Sequence, residues 1–336
     1  GGNEMNDILR QLTEAFGPSG YETEVTNLIK TMVEGHVDEI KTDVMGNLIA
    51  IKEGSPNGKK IMFAAHTDEI GIVVTHIDDN GFLRFANIGG VGISTLVGNR
   101  VRFAEGTIGV IYHEKGDWKE LSLDKLYIDI GAESKEEALK KVKVGEFGIF
   151  HREFTDLGNR LIAKSMDDRV GCAVLIDALK KISNPMNTLY FVFTSQEEVG
   201  LRGARTAAYG VDPDLGIALD VTLTGDMPEA RRMEVSLGKG AAIKVKDSSL
   251  IVHPKVKELL VKLAEENNIP YQMEVLEAGG TDAGAIHLTR AGVPSGTISI
   301  PTRYVHSPSE MVDMRDVTAC VDLVVALANT DLTDLC

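Results

Sequence analysis

Apolar residues in this chain follow two periods, and the places where one gives way to the other outline its architecture. The run Leu189-Tyr190-Phe191-Val192-Phe193 is continuously apolar and aromatic, the pattern of a strand covered on both faces in a parallel sheet. Comparable runs predict strands at 47–51, 60–65, 188–193, 215–221, 241–246, 271–276 and 295–300. Helical spacing fills the intervals. Ile8, Leu9, Leu12 and Phe16 predict a first helix, stopped by Gly17-Pro18. Ser19 and Glu22 form a capping-box pattern ahead of a second helix that carries Val25, Ile29, Met32 and Val33. Further helices are expected at 169–182, 201–209, 254–267, 281–290 and 316–328, with Pro254 in the first turn of the third of these. Strands alternating with helices imply an α/β fold: a mainly parallel sheet with helices on both faces.

Between 71 and 156 the texture changes to short strands punctuated by glycine, as in Asn87-Ile88-Gly89-Gly90-Val91-Gly92. Only one helix interrupts them, at 134–142, again opened by a capping-box pair, Ser134 and Glu137. This texture predicts an inserted β-rich barrel or sandwich domain over 71–156, which leaves 1–70 and 157–336 as the two parts of the α/β domain.

Composition narrows the classes of function. With 336 residues, 43% of them hydrophobic, the chain can bury a large core and fits two domains better than one. A formal net charge of -15 argues against nucleic acid as a partner, because phosphate binding needs a basic surface. Cys172, Cys320 and Cys336 are too few and too scattered for a disulfide framework or a CxxC metal site. No apolar run approaches the ~20 residues of a membrane helix, and Gly1 to Asp7 has neither the basic region nor the apolar core of a signal peptide. A cytoplasmic protein with no membrane partner is expected.

The candidate chemistry lies at the ends of the expected strands. His66-Thr67-Asp68 follows the 60–65 strand, Asp167-Asp168 stands at the mouth of a helix, and Glu197-Glu198 follows the 188–193 strand. Asp220 closes Ile217-Ala218-Leu219, and His306 follows Ile300-Pro301. Open α/β sheets bind ligands beyond the carboxyl ends of their strands. Taken singly, each piece has a plain reading: a local pair for His66 and Asp68, a helix cap for Asp167-Asp168, a solvated strand end for Glu197-Glu198. Adjacent carboxylates that both stay ionised call for a cation, however, and six acidic groups with two histidines on one sheet edge outweigh the separate readings. Imidazole and carboxylate ligands suit zinc, cobalt or manganese, and a carboxylate-rich cluster can hold two ions bridged by one Asp.

These residues match a family. The segments Ala64-Ala65-His66-Thr67-Asp68-Glu69-Ile70-Gly71, Ser165-Met166-Asp167-Asp168-Arg169-Val170-Gly171, Gln196-Glu197-Glu198-Val199-Gly200-Leu201-Arg202-Gly203-Ala204 and Ala218-Leu219-Asp220-Val221-Thr222 resemble those of the M42 family of dinuclear metallo-aminopeptidases. Gly17-Pro18-Ser19-Gly20-Tyr21-Glu22, Gly279-Gly280-Thr281-Asp282-Ala283 and Val305-His306-Ser307 fit as well, in the family's order over nearly the whole chain. The resemblance implies a catalytic α/β domain split by an inserted β-rich domain that mediates assembly into dimers and a hollow tetrahedral dodecamer. It also implies two divalent ions per subunit, zinc or cobalt, held by His66, Glu198, Asp220, His306 and one bridging Asp. Asp167 is assigned as the bridge and Asp168 as its support, while Asp68 orients His66 through its other ring nitrogen. Glu197, left free because Glu198 binds metal, becomes the general base that takes a proton from a water shared by the ions and passes it to the departing amine. The substrate is then a peptide trimmed one residue at a time from its free N-terminus. One departure concerns substrate preference: Pro228-Glu229 stands where family members often have Pro-Gly.

Two readings from other classes compete with this one, an endoglucanase-type glycoside hydrolase and a non-catalytic metal-binding protein. Glycosidases place two carboxyl groups on either side of a bond, ~5 to 9.5 Å apart, and need no transition metal. Carboxylates clustered with histidines disfavour that reading.

Overall fold

The computed structural model describes residues 2–335, so Cys336, one of the three cysteines weighed above, lies outside them. The chain opens with α1 (Gly2–Glu14), α2 (Thr23–Val33), β1 (Glu39–Thr42), β2 (Leu48–Lys52) and β3 (Lys60–His66). Next come β4 (Gly71–Ile77), β5 (Leu83–Ile88), α3 (Ile93–Leu96), β6 (Arg100–Phe103), β7 (Ile108–His113), β8 (Leu126–Asp129), α4 (Lys135–Leu139) and β9 (Phe147–Phe150). β10 (Thr155–Asp156), β11 (Arg160–Ala163), α5 (Met166–Lys181), β12 (Thr188–Thr194), α6 (Arg202–Val211), β13 (Leu215–Thr222) and β14 (Ala241–Lys246) follow. The order closes with α7 (Pro254–Glu266), β15 (Tyr271–Val275), α8 (Ala283–Ile286), β16 (Ser295–Arg303), β17 (Glu310–Asp313) and α9 (Met314–Ala328).

One large sheet runs β1-β2-β12-β3-β13-β16-β17-β11-β10, with β14 added beside β16 and β15 beside β14. Its centre, β12-β3-β13-β16, is parallel as the α/β alternation requires. Towards its margins β1 with β2, and β16 with β17, pair antiparallel, because short turns join them and leave no length for a crossover, whereas β14 and β15, linked through α7, pair in parallel.

The pleat divides the buried side chains between two cores. Along β3, Ile61, Phe63 and Ala65 face one side, where α1, α2, α5, α7 and α9 pack, whereas Met62 and Ala64 face α6 and α8 on the other. β12 follows the same rule, with Leu189, Phe191 and Phe193 on the first side and Val192 on the second. Phe63 and Phe191 stack with ring centroids 5.4 Å apart, and truncating such a buried ring to Ala costs about 3–5 kcal/mol. Helices therefore cover both faces, and the continuously apolar character of the 188–193 run has its physical reason.

β4 to β9 close into a six-stranded barrel in the order β4-β5-β8-β7-β6-β9, with its own core around Val74, Phe103, Ile111 and Ile128. The chain enters it at Gly71, where an added Cβ would lie 2.4 Å from the Gly148 carbonyl oxygen. It leaves after Phe150, and Thr155–Asp156 already pairs with β11 in the large sheet. Two helices are shorter than the spacing predicts. The helix expected at 134–142 spans Lys135–Leu139; Ser134 accepts the Glu137 N–H at 3.1 Å, and the Glu137 carboxylate accepts from Glu133 rather than from Ser134. The helix expected at 281–290 spans only Ala283–Ile286, and the chain turns back through Arg290 at φ +52. Among the described residues no helix is long and apolar enough to cross a membrane.

Candidate metal centre

Parallel register brings the chemistry together. His66 pairs with Thr194 across β3 and β12, so His66-Thr67-Asp68 and Ser195-Gln196-Glu197-Glu198 leave the sheet side by side. Asp220 lies on β13, the strand on the other side of β3, and the continuation of β16 delivers His306 to the same edge. Arg169, fully buried on α5, donates to the Thr67 carbonyl at 2.7 Å and to Glu69 at 2.9 Å, which locks the exit of β3 to the start of α5. Asp167 and Asp168 have non-helical backbone angles there and turn into the cluster instead of capping α5.

The Asp167 carboxylate stands between the two histidines. His66 Nε2 lies 2.9 Å from Asp167 Oδ1, and His306 Nε2 lies 3.0 Å from Asp167 Oδ2. Around His66 Nε2 also stand Glu197 at 3.2 Å, Asp220 at 3.6 Å and Glu198 at 3.8 Å, while His306 Nε2 is 3.3 Å from the second oxygen of Glu198. His66 is buried and His306 is 35% exposed, so the latter forms the outer wall. Asp168 lies behind, with Oδ2 accepting the His66 N–H at 3.1 Å; room for this carboxylate exists because Gly171 carries no Cβ, which would sit 2.3 Å from Oδ1.

Asp68 serves four neighbours. Its carbonyl oxygen is 3.0 Å and its carboxylate 3.4 Å from His66 Nδ1, the ring nitrogen away from the cluster. Its carboxylate oxygens accept the N–H groups of Glu197 at 2.9 Å and Glu198 at 3.0 Å, and Ser19 Oγ donates to it at 2.6 Å. Glu22 accepts the Gln196 N–H at 2.8 Å, and Asn47 Oδ1 accepts that of Ser195 at 2.9 Å. Four consecutive amides, 195 to 198, are thus held by side chains from three separate segments. This corrects the capping-box reading of Ser19 and Glu22: α2 has no side-chain cap, and both residues look toward the site.

Electrostatics in this pocket are strained. Burial and the charge of Asp167 push Glu198 up to about 8, and burial pushes Asp220 up to about 6 despite the nearby His66. Burial raises Glu197 and Asp168 well above the ordinary carboxyl range, with further pressure from neighbouring carboxylates. Against burial, the two imidazoles hold Asp167 well below that range, and hydrogen bonds to Asp167 and Glu198 push His306 up to about 12. Asp168 Oδ1 and Glu198 Oε1 are buried without a hydrogen-bond partner. Ligand atoms of His66, Asp167 and Glu198 lie within 4.8 Å of one another, and so do those of His66, Asp168 and Asp220. Crowded, orphaned carboxylate oxygens beside two imidazoles fit divalent cations, and the all-nitrogen-and-oxygen donor set suits first-row metals.

A cavity of about 550 Å³ opens above the cluster, bounded by Asp167, Glu197, Glu198 and Asp220 below and by Leu223 and Leu276 at its sides. A model of the M42 glutamyl aminopeptidases matches residues 46–323. The chain belongs to the M42 peptidase family. It is 54% identical to a putative aminopeptidase of Acetivibrio thermocellus over 96% of this chain and 98% of that one. Aminopeptidase APDkam598 of the archaeon Desulfurococcus kamchatkensis superposes with a TM-score of 0.94 at 43% identity, covering 98% of this chain and 95% of that chain. The TET1 peptidase of Pyrococcus horikoshii, which can assemble into a tetrahedron or a large octahedral shell, does so with 0.86 at 35% identity over 96% and 99%. This M42 member is an enzyme, a peptide hydrolase of the aminopeptidase kind, and the family implies a divalent metal.

Beyond the residues named from the sequence, the M42 site draws on Asn47 and Glu310, and it gives Ser19 and Glu22 a role other than the cap first read for them. Asn47 and Glu310 act on the amides of Ser195 and Asp167, far away in the chain, so no short motif announces them.

Proposed function

We propose that this chain removes N-terminal residues from peptides using two divalent ions, zinc or cobalt, and Glu197 as general base. The observation that carries this is the position of Asp167 between His66 and His306, one carboxylate oxygen toward each imidazole. We assign His66 and Asp220 to one ion and His306 and Glu198 to the other, with Asp167 common to both; the 3.6 Å approach of Asp220 to His66 and the 3.3 Å approach of Glu198 to His306 support this division. When bound, the ions supply Lewis acidity, lowering the pKa of a water and polarising the scissile carbonyl. Glu197 belongs to neither ligand set, lines the cavity and is fixed through its amide by Asp68, so it can take the proton of the attacking water and hand it to the departing amine. Asp68 keeps His66 oriented from behind. The glycosidase reading lacks support: these carboxylates converge on shared imidazoles instead of facing each other across a sugar.

A panel of aminoacyl chromogenic amides tests the reading. Activity should vanish on chelation and return with zinc or cobalt. Activity on β-glucan that survives chelation would favour the glycosidase, and metal binding with no turnover of any amide would favour a binding protein.

Assembly belongs to the same reading. The residues of the 71–156 insert contribute no proposed ligand, and along β7 the alternate residues Ile108, Val110 and Tyr112 are 41–50% exposed, an apolar outward row. We assign this domain to dimerisation, and the dimers to a tetrahedral dodecamer resembling the tetrahedron of the TET1 peptidase. A cytoplasmic enzyme that trims peptides is the setting this suits.

A further inference from the structure

Glu310 opens β17 and is 2% exposed. Each of its carboxylate oxygens accepts a different backbone N–H: Oε1 that of Asp167 at 3.1 Å, Oε2 that of His306 at 2.8 Å. Neither amide belongs to a regular ladder, since Asp167 is non-helical and His306 sits at φ +67. The sheet explains why one residue reaches both. β17 lies between β11 and β16, pairing with each, and those are the strands that lead to Asp167 and to His306. Glu310 pairs with Ala163, the last residue of β11, and so stands where the two chain exits converge.

We propose that Glu310 is a positioning residue of the metal centre, its single carboxylate coupling the backbones of Asp167 and His306 so that both side chains meet an ion in register. The proposal rests on the reading of Asp167 and His306 as ligands. Side chains behind metal ligands characteristically tune affinity by about 10- to 100-fold, and here one side chain acts on two ligands at once. A carboxylate suits the task because it offers two acceptors and no donor; an amide offers one acceptor and would turn an N–H toward the other amide.

Zinc dissociation constants of the whole protein, measured by competition with a chromophoric chelator well below the melting temperature, decide the matter. Glu310→Ala should weaken zinc binding by about 10- to 100-fold, with Glu310→Gln between it and the wild type. Saturating zinc should restore most of kcat in both. If Glu310 only satisfies two amides for stability, melting of the chelated protein falls while the dissociation constants stay unchanged, and the proposal is overturned. Should Glu310→Ala fail to fold, a wild-type zinc constant in Glu310→Gln overturns it equally. His306→Ala separates this from the ligand assignment: zinc lost there but unaffected in the Glu310 variants removes the clamp alone. Zinc fully retained in His306→Ala removes the assignment and the clamp with it.

Discussion

The carboxylate of Asp68 accepts the backbone N–H of Glu197 at 2.9 Å, so the residue behind His66 also fixes the loop that carries the proposed base. Asp68→Ala releases the Glu197 and Glu198 amides and the Ser19 hydroxyl together. We expect kcat to fall by about 10- to 100-fold, the range for residues that orient a metal site. Ser19→Ala, which removes one of the three bonds, should be milder. Steady-state kinetics on an aminoacyl amide at saturating zinc test the order, and a Ser19→Ala loss as large as that of Asp68→Ala contradicts it.

The adjacent carboxylates Glu197 and Glu198 are assigned different duties. Glu197→Gln should keep both ions and lose turnover by about 10²- to 10⁴-fold, the typical worth of a general base. Glu198→Gln should lose metal, because Glu198 pairs with His306 and has a buried oxygen with no hydrogen-bond partner. Metal analysis after gel filtration distinguishes them, and equal loss in both variants would remove the distinction.

Asp167 and Asp168 can be separated in the same way. Asp167→Asn disturbs the carboxylate that faces both histidines and should lower occupancy of both ions. Asp168→Asn alters a group that accepts the His66 N–H from behind and should be milder. The reverse order of metal loss would move the bridge to Asp168, whose ligand atoms also gather with those of His66 and Asp220.

Strand ends were legible in the sequence because a buried parallel strand must read as an apolar run, and the sheet then forces its carboxyl end to one edge. Hence His66, Glu197, Glu198, Asp220 and His306 converge near where the runs stop, and Asp167 joins them from the start of a helix. What was not legible has a common physical cause. Ser19, Glu22 and Glu310 hold partners 49, 174 and 143 residues away, and the Pro18–Glu69 bridge, the pairing of β12 with β3 and that of β17 with β11 bring these segments together. Ser19 and Glu22 at capping-box spacing even pointed to a local role, which tertiary hydrogen bonding overrode. The antiparallel pairs towards the sheet margins had the same origin, since strand direction depends on connections that apolar runs do not encode.

A pH test bears on the loop after β13. Arg303 donates to both oxygens of Asp226, at 3.1 and 2.9 Å, and Asp226 also accepts the Leu237 N–H at 2.9 Å. Against burial, these bonds hold the Asp226 carboxyl down to about 2, below its ordinary 3.8. A carboxyl depressed on folding contributes its stability in full above the unfolded value and loses it as pH falls through the folded one. The melting-temperature difference between wild type and Asp226→Asn should therefore hold steady above about pH 5 and shrink as pH approaches about 2. A difference that stays constant down to the acid limit rules out this ion pair as a source of stability.

The outward row Ile108, Val110 and Tyr112 on β7 makes the assembly testable at the level of side chains. A closed barrel has no free strand edge, so self-association through this domain must use side chains on its outer face, and this row is apolar where solvent alone would favour polar residues. Twelve copies of the 36.3 kDa chain amount to about 436 kDa, and rotational octahedral symmetry would double that to about 871 kDa. Light scattering on zinc-loaded protein should give the smaller of these masses. Val110→Lys, which puts a charge in the middle of the row, should shift the distribution toward smaller particles while leaving the melting of the α/β core in place. A mass near one chain refutes assembly, and a mass near two leaves the dimer but removes the cage. An intact cage carrying Val110→Lys would show that β7 is not the contact and move the interface elsewhere. The measurement should be repeated after chelation, because ligands that bind only the assembled state stabilise it by mass action, and loss of metal then loosens the particle without reporting on the interface itself.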